Sequence, residues 1–227
     1  MKLSRSLFNL FGLCTFLTLN CSYAANSNSY LDLIHPYVGA TLGYDSTNLN
    51  MSYMGILESD YGLNGVTYSG YAGLELIPTF EKFSKFRLGA EVFAENLNQA
   101  TAQDSILYPL DTPIIFQKKN SVGFGVLPGY QITDHNQIYL RVGLAHTQFT
   151  YQNAPASGLN YSFYCDGTQL GIGNLWEITK NLGIRAEYDR TNYQTFHATG
   201  MLNGFGPDDD YLNFTSNEFK LGLQWMF

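Results

Sequence analysis

Acidic and basic residues recur at every second position in several segments of this 227-residue chain. Side chains at alternate positions of a strand point to the same face, so these charges should meet in one interior network. Buried charges are tolerated only when they are paired, which predicts ion pairing, or an ion path if the network leaves room. The residues predicted to form the network are Glu75, Arg87, Glu91, Glu95, Arg141, Glu177, Arg185, Glu187, Glu218 and Lys220.

Two particular ion pairs follow from the predicted turns. A turn centred on Glu81 sets Glu75 directly across from Arg87 on the next strand. A turn centred on Asn181 sets Glu177 across from Arg185 in the same way. Opposite charges facing each other on neighbouring strands are stabilising, so we expect an ion pair at each position.

The elements that must position these charges are strands with one apolar and one polar face. Apolar residues alternate with small or charged ones over residues 37–44, 66–77, 86–96, 121–130, 137–149, 168–178, 182–189 and 217–227. The sixth segment is the least regular, because Asn174 falls among its apolar positions, and we expect either a bulge near Asn174 or a wrong strand assignment there. The aromatic residues expected to face outward near strand ends are Tyr37, Tyr44, Phe86, Trp176, Tyr188 and Trp225.

The connections between these eight segments alternate between long and short. The long ones cover residues 45–65, 97–119, 150–163 and 190–216, and the short ones cover 78–84, 132–136 and 179–181. Four long loops therefore share one rim. Because a sheet edge inside a bilayer would leave peptide groups without hydrogen bonds, the sheet must close on itself. The predicted fold is all-β, an eight-stranded antiparallel up-and-down transmembrane β-barrel over residues 25–227.

The last eleven residues carry the clearest pattern in the chain. Asn217 to Phe227 alternates strictly and ends on an aromatic residue, and its apolar side consists of Phe219, Leu221, Leu223, Trp225 and Phe227. The segment resembles the closing strand of Gram-negative outer-membrane β-barrels. With the strand number and the loop asymmetry, the whole chain from residue 25 resembles small OmpA/OmpX-type, opacity-protein-like barrels. This resemblance implies that the five apolar residues are the signal read by the barrel-insertion machinery, and that the short turns and both termini face the periplasm.

The N-terminus predicts export. Lys2 and Arg5 precede an apolar run, and Ser22 and Ala24 stand where signal peptidase expects small residues, so residues 1–24 form a predicted signal peptide. The remaining chain has ten Lys and Arg against 19 Asp and Glu, a net charge of −9 that argues against nucleic-acid binding. It retains one cysteine, Cys165, and hence no internal disulfide. The predicted location is the outer membrane, in contact with its lipid and lipopolysaccharide.

Catalytic chemistry finds little support in the sequence. Two barrel enzymes that remodel lipid A use a His and a Ser at the outer rim, but His146 and His197 have no serine in such a motif. His35 is predicted to lie before the barrel, and His135 in a short turn at the opposite rim. The run Asp208–Asp210 lacks the spacing of a calcium loop, so neither a metal site nor a cofactor is predicted.

The function expected is therefore non-enzymatic. Eight strands enclose a bore only wide enough for side chains, so the charged residues should largely plug it. The leading hypothesis is a monomeric structural and surface-interaction protein, adhesion-like, whose four long loops contact a host or environmental ligand. Inward glycines leave space beside the charges, which keeps open a narrow channel for small solutes or ions. Lipid A modification is the third alternative.

Overall fold

The computed structural model describes residues 33–53, 57–78, 84–103, 114–153, 160–197 and 211–227. The predicted signal peptide and the Asp208–Asp210 run lie outside the described residues. The described residues form nine strands: β1 Ile34–Tyr53, β2 Leu57–Leu76, β3 Phe86–Gln103, β4 Ile114–Thr133, β5 Asn136–Asn153, β6 Asn160–Glu177, β7 Leu182–Tyr193, β8 Phe196–His197 and β9 Tyr211–Met226. Among them, no helix is long and apolar enough to cross a membrane.

Eight of these strands close into a ring. Consecutive strands from β1 to β7 pair antiparallel, β7 pairs with β9, and β9 pairs with β1. The two-residue β8 adds only a short pairing at the start of β9. The eight-stranded antiparallel up-and-down β-barrel predicted from the alternation is confirmed.

The stagger of the ring can be read from its pairs. A path of directly paired residues that starts at Val38 returns to β1 at Asn48, ten residues further along. Such a shear tilts the strands by roughly 40° from the barrel axis. The residues on this path are Val38, Ala72, Val92, Phe124, Leu144, Thr168, Asn192, Thr215 and Asn48.

A continuous apolar belt surrounds the outside of the barrel. Its exposed residues include Leu42, Leu74, Leu88, Val92, Phe124, Leu140, Val142, Leu170, Ile172, Ile184, Leu221 and Leu223. Exposed aromatic residues flank it, with Tyr44, Tyr68, Tyr188 and Phe219 toward one rim and Phe86, Tyr130, Trp176, Trp225 and Phe227 toward the other. An apolar band between two aromatic girdles is the exterior that a lipid bilayer requires.

Two expectations about this exterior are wrong. Tyr37 is not an outward aromatic, since it is 4% exposed and its hydroxyl donates to Glu91 inside the barrel. Its parity is that of Gly39 and Thr41, so the alternation of β1 already placed it inward. Asn174 makes no bulge: it pairs in unbroken register with Ile138 and Ala186, and its amide donates to the Asn136 side chain at 2.8 Å. A lateral amide pair satisfies this polar group within regular strand geometry.

The strands are also longer than predicted, at the expense of the long loops. The β1–β2 hairpin remains paired as far as Tyr53 and Leu57, deep inside the segment expected to be loop. Strands β3 to β6 and β9 likewise reach into the predicted loops. The barrel wall therefore rises beyond the apolar belt at the rim where the long connections meet, and we call this part the outer extension.

The polarity of the wall reverses in the outer extension. Along β1, Asp45 is the last charged inward residue, and the inward positions then become Leu49 and Met51 while Asn48 and Asn50 face outward. The same exchange occurs on β9, where Leu212 and Phe214 face inward. Inside a membrane the apolar face must point to lipid, whereas in water it must point to the interior, so one strand carries both patterns in sequence.

Candidate functional site

The bore of the barrel contains layers of charged side chains, and Glu91 lies at the centre of the first. Its carboxylate accepts hydrogen bonds from Arg141 and, at 2.5 Å, from Arg185. Arg185 also donates to Glu187 at 2.6 Å, while Nε of Arg141 lies 3.2 Å from the other oxygen of Glu187. Two guanidinium groups thus alternate with two carboxylates, and all four side chains are buried. Such a closed arrangement offsets the cost of removing each charge from water.

Tyrosine rings hold this layer in place. The guanidinium of Arg185 lies over the ring of Tyr71 at 4.4 Å and over that of Tyr139 at 5.0 Å. The hydroxyl of Tyr139 donates to Glu187 at 2.8 Å. The rings fill space left by glycines on adjacent strands, because a Cβ at Gly39 would overlap Tyr71 and one at Gly173 would overlap Tyr139. These two inward glycines therefore make room for aromatic rings.

A second layer surrounds Lys220 on β9. Its ammonium lies 2.9 Å from Glu218, 3.1 Å from Asp189 and 3.3 Å from Glu95. Thr67 donates to the second oxygen of Glu218 at 2.5 Å. The single cation thus serves carboxylates from three strands and ties β3, β7 and β9 together across the bore.

A third charged layer marks the level where the wall changes polarity. Lys118 on β4 lies 2.5 Å from Asp45 on β1 and donates to the hydroxyl of Ser216 at 2.9 Å. Ser216 in turn donates to Asp45 at 2.5 Å. All three side chains are buried. This triad connects strands that lie on different sides of the ring.

Above the triad the bore is apolar. A cluster of buried side chains, which we call the outer plug, fills the interior of the outer extension. Its aromatic rings are stacked, with Phe149 and Phe214 4.2 Å apart and Phe163 and Phe196 4.3 Å apart between centroids. The buried members are Leu49, Met51, Tyr61, Leu63, Phe116, Phe149, Tyr151, Phe163, Cys165, Leu212 and Phe214. The outer end of the barrel thus has the interior of a water-soluble β-barrel.

Seven of the predicted network residues come together in these layers: Glu91, Glu95, Arg141, Arg185, Glu187, Glu218 and Lys220. Glu75 is also buried inside, but it accepts from Gln137 at 2.9 Å and not from an arginine. Arg87 and Glu177 lie half-buried near the ends of their strands, at the rim with the short turns.

Both predicted cross-strand pairs are wrong. Glu75 faces Gly89, while Arg87 bonds to Gln131 and to backbone carbonyls. Glu177 faces Gly183, and Arg185 reaches across the bore to Glu91 instead. Each register differs from the predicted one by two residues. A two-residue shift keeps every side chain on its expected face, so alternation predicts the face correctly but not the partner.

Sequence reasoning missed the outer half of the site. The sequence prediction places Asp45, Lys118 and most of the outer plug in the long loops. The signal was present, since the alternation of β1 and β9 continues with inverted polarity instead of ending. If the outward face of a strand is required to stay apolar, the predicted strand ends at the inversion. The residues beyond it are then assigned to a loop.

The family follows from comparison with known proteins. Residues 13–227 match the family described as outer membrane protein beta-barrel domain. The chain belongs to this family. The apolar belt suits a bilayer and the family is one of outer-membrane proteins, so the protein is located in the outer membrane. A search of curated proteins gave no match.

Solved structures agree on the fold of this outer-membrane barrel. The outer membrane protease OmpT from Escherichia coli has a TM-score of 0.52 at 8% identity, with 90% of this chain and 100% of that chain covered. A major outer membrane protein from Thermus thermophilus has a TM-score of 0.50 at 11% identity, with 83% of this chain and 99% of that chain covered. Ail, the attachment invasion locus protein of Yersinia pestis, has a TM-score of 0.46 at 11% identity, with 85% of this chain and 99% of that chain covered. At these identities the likeness to the first two structures is one of fold.

The histidines of this outer-membrane barrel lie apart from one another. His146 faces outward on β5, where its Nδ1 lies 2.6 Å from Asp166 and its ring stacks on Tyr164. His35 lies near the start of β1, His135 in the β4–β5 turn and His197 in β8. Among the described residues, no group of three or more His, Cys, Asp or Glu side chains is arranged to hold a metal ion.

Proposed function

We propose that this outer-membrane barrel is a non-conducting structural and surface-interaction protein. The observation that supports this function is the filling of the bore in two different ways along its length. Charged layers bridge the strands within the apolar belt, and the outer plug fills the extension beyond it. An ion would have to displace paired charges and then cross an apolar barrier, and both steps are unfavourable.

The outer extension also suits a role in contact with other surfaces. It continues the hydrogen-bonded wall beyond the belt, so the strand ends at this rim stand clear of the apolar exterior. We propose that this rim faces outside and that the short turns at Ser84–Lys85, Asp134–His135 and residues 178–181 face the periplasm. Binding to a host or environmental ligand then falls to the outward-facing side chains and the connections within residues 45–65, 97–119, 150–163 and 190–216. The barrel is proposed to act as a monomer.

Replacement of the connecting segments tests this function. Residues 104–113, 154–159 and 198–210 lie between strands, so each can be exchanged for a short Gly-Ser turn while the strands keep their sequence. We expect at least one exchange to abolish binding of barrel-expressing cells to host cells or matrix-coated surfaces. Lys180→Ser at the opposite rim is the matched control and should leave binding intact. Unchanged adhesion in all three exchanges would contradict the interaction role.

One observation favours a second candidate. His146 is oriented by Asp166, as a histidine acting as a general base would be, and it lies just beyond the belt residue Leu144. An enzyme acting on the acyl chains of lipid A would use such a position. Mass spectrometry of lipid A from cells with and without the barrel tests this candidate, which requires an altered acyl composition that is lost in His146→Gln.

A further inference from the structure

The first outward-facing residues beyond the apolar belt form a polar ring, which we call the collar. On each of the eight ring strands the collar residue stands two positions beyond the last outward apolar residue, such as Asn64 beyond Val66 and Asn217 beyond Phe219. The collar consists of Ser46, Asn64, Asn96, Asn120, His146, Thr168, Arg190 and Asn217. Because every strand contributes at its own crossing of the same boundary, the collar encircles the barrel where hydrocarbon gives way to headgroups.

The composition of the collar is unusual for a β-sheet. Four of its eight residues are asparagine, a residue that strands disfavour. All four lie within long strands: Asn64 and Asn217 are in regular pairing, whereas Asn96 and Asn120 pair with each other at the edge of a register irregularity. The next outward row adds further amides in Asn48, Gln148 and Asn192. At Asn64 and Asn217, where the pairing is regular, strand propensity favours threonine, so these amide groups call for a separate explanation.

The collar is also poor in cations. Arg190 is its one arginine. The exposed Lys119 lies beside Asn120, where the pairing register of β4 with both β3 and β5 shifts. A surface built around phosphate would carry clusters of arginine and lysine, because their charge and donor geometry match phosphate oxygens. An amide offers a donor and an acceptor side by side without charge. That chemistry matches the hydroxyl and N-acyl groups of a sugar.

Two contacts hold parts of the collar in defined orientations. The hydroxyl of Tyr188, in the aromatic girdle, donates to the side-chain oxygen of Asn217 at 2.9 Å. The ring of His146 is fixed by Asp166 and lies parallel to Tyr164, with centroids 4.8 Å apart. The collar is thus continuous with the lipid-contacting girdle below it and presents aromatic faces as well as amides, both of which suit a sugar ring.

From this arrangement we propose that the collar binds the saccharide headgroups of the outer-leaflet glycolipid, through their hydroxyl and amide groups more than through their phosphates. This goes beyond the proposed function and rests on the orientation proposed there. The apolar belt binds the acyl chains of the same molecules, so a collar-bound glycolipid is held at both ends of its lipid anchor. The collar would then select sugar-bearing lipids from phospholipids around the barrel.

The test compares glycolipid retention by two variants of the full barrel. The collar variant carries Asn64→Thr, Asn96→Thr, Asn120→Thr and Asn217→Thr, which replace each amide by a smaller hydroxyl side chain and favour strands. The control variant carries Asn50→Thr and Asn213→Thr, which lie higher on the outer extension. Each protein is folded into phosphatidylcholine vesicles containing lipid A, dephosphorylated lipid A or phosphatidylglycerol, extracted in mild detergent, and analysed for bound lipid by mass spectrometry.

We expect the unmodified barrel to retain both forms of lipid A at similar levels and little phosphatidylglycerol. The collar variant should retain about tenfold less lipid A, corresponding to roughly 1.4 kcal/mol, and the control variant should match the unmodified barrel. Loss of retention on dephosphorylation, equal retention of phosphatidylglycerol, or full retention by the collar variant would each overturn sugar recognition.

A separate measurement tests the orientation. In a Cys165→Ser background, Asn48→Cys should react on intact cells with a membrane-impermeant maleimide, because Asn48 is exposed on the outer extension. Protection in intact cells with reaction after lysis would place the collar at the periplasmic leaflet and overturn the proposal. Retention of lipid A is independent of adhesion, since the segment exchanges that test adhesion leave the collar intact.

Discussion

Glu91 and Arg185 are 94 positions apart in the chain, yet their side chains meet 2.5 Å apart in the middle of the bore. Glu91 stands on β3 and Arg185 on β7, strands that are not neighbours in the ring. The contact therefore spans the barrel instead of following its wall. It shows how charged side chains can couple the two sides of an eight-stranded ring at this level of the bore.

Neutralising Glu91 should destabilise the barrel strongly. Glu91→Gln leaves Arg141 and Arg185 buried with one carboxylate fewer, and removing one partner of a buried ion pair costs about 3–5 kcal/mol. Urea unfolding in detergent micelles, followed by tryptophan fluorescence, measures the change. Glu177→Gln is the control, because that side chain is half-buried near a strand end and should change stability by about 0.5 kcal/mol or less. Equal losses in both variants would contradict a central role for Glu91.

The polarity inversion of β1 predicts that substitutions at two adjacent residues differ sharply in their effect on stability. Leu49 is fully buried in the outer plug, so Leu49→Asn buries a polar group and removes packing contacts. The free energy of unfolding should fall by about 2–4 kcal/mol. Its neighbour Asn48 faces outward, so Asn48→Leu should leave stability nearly unchanged. Limited proteolysis of the barrel in vesicles reports on the outer extension. If segment 45–65 were a solvated loop, both variants would be cleaved as readily as the parent protein.

Within the apolar belt the sequence predicts the face of most residues, whereas it does not predict the register or the ends of the strands. Lys220 and Leu221 fall on the expected sides because alternation has a period of two. The partner of Glu75 was wrong because a turn shifted by two residues preserves that alternation. Asp45 and Lys118 were missed because the environment outside the wall changes from lipid to water along one strand, which reverses the pattern without breaking it.

Cysteine reactivity offers a simple check of side-chain direction in the outer extension. Cys165 is buried in the outer plug, so its thiol should resist maleimide in the folded barrel and react after denaturation. In a Cys165→Ser background, Asp166→Cys should react readily in the folded state, because Asp166 faces outward. Mass spectrometry of the labelled protein gives both results. Rapid labelling of native Cys165 would show that β6 does not carry the described parity.

The closing strand carries a prediction about assembly in cells. Phe227 is exposed at the girdle, and in the structure its backbone N–H donates to the carbonyl of Pro36 at 3.0 Å. Because Phe227→Ala keeps that backbone hydrogen bond, refolding in detergent should be little affected. If the terminal pattern is read by the insertion machinery, the same variant should accumulate as unassembled protein in the periplasm. Membrane fractionation and gel mobility without heating measure this, and normal assembly of Phe227→Ala would argue against a role for the terminal aromatic.

Closure of the bore is tested most directly by planar-bilayer conductance of the purified barrel. The charged layers and the outer plug predict no steady single-channel current for the unmodified protein, and none after Glu177→Gln near the rim. Steady unitary currents through the unmodified barrel, altered in amplitude or ion selectivity by Glu91→Gln or Arg141→Gln, would contradict a plugged interior and establish a channel instead.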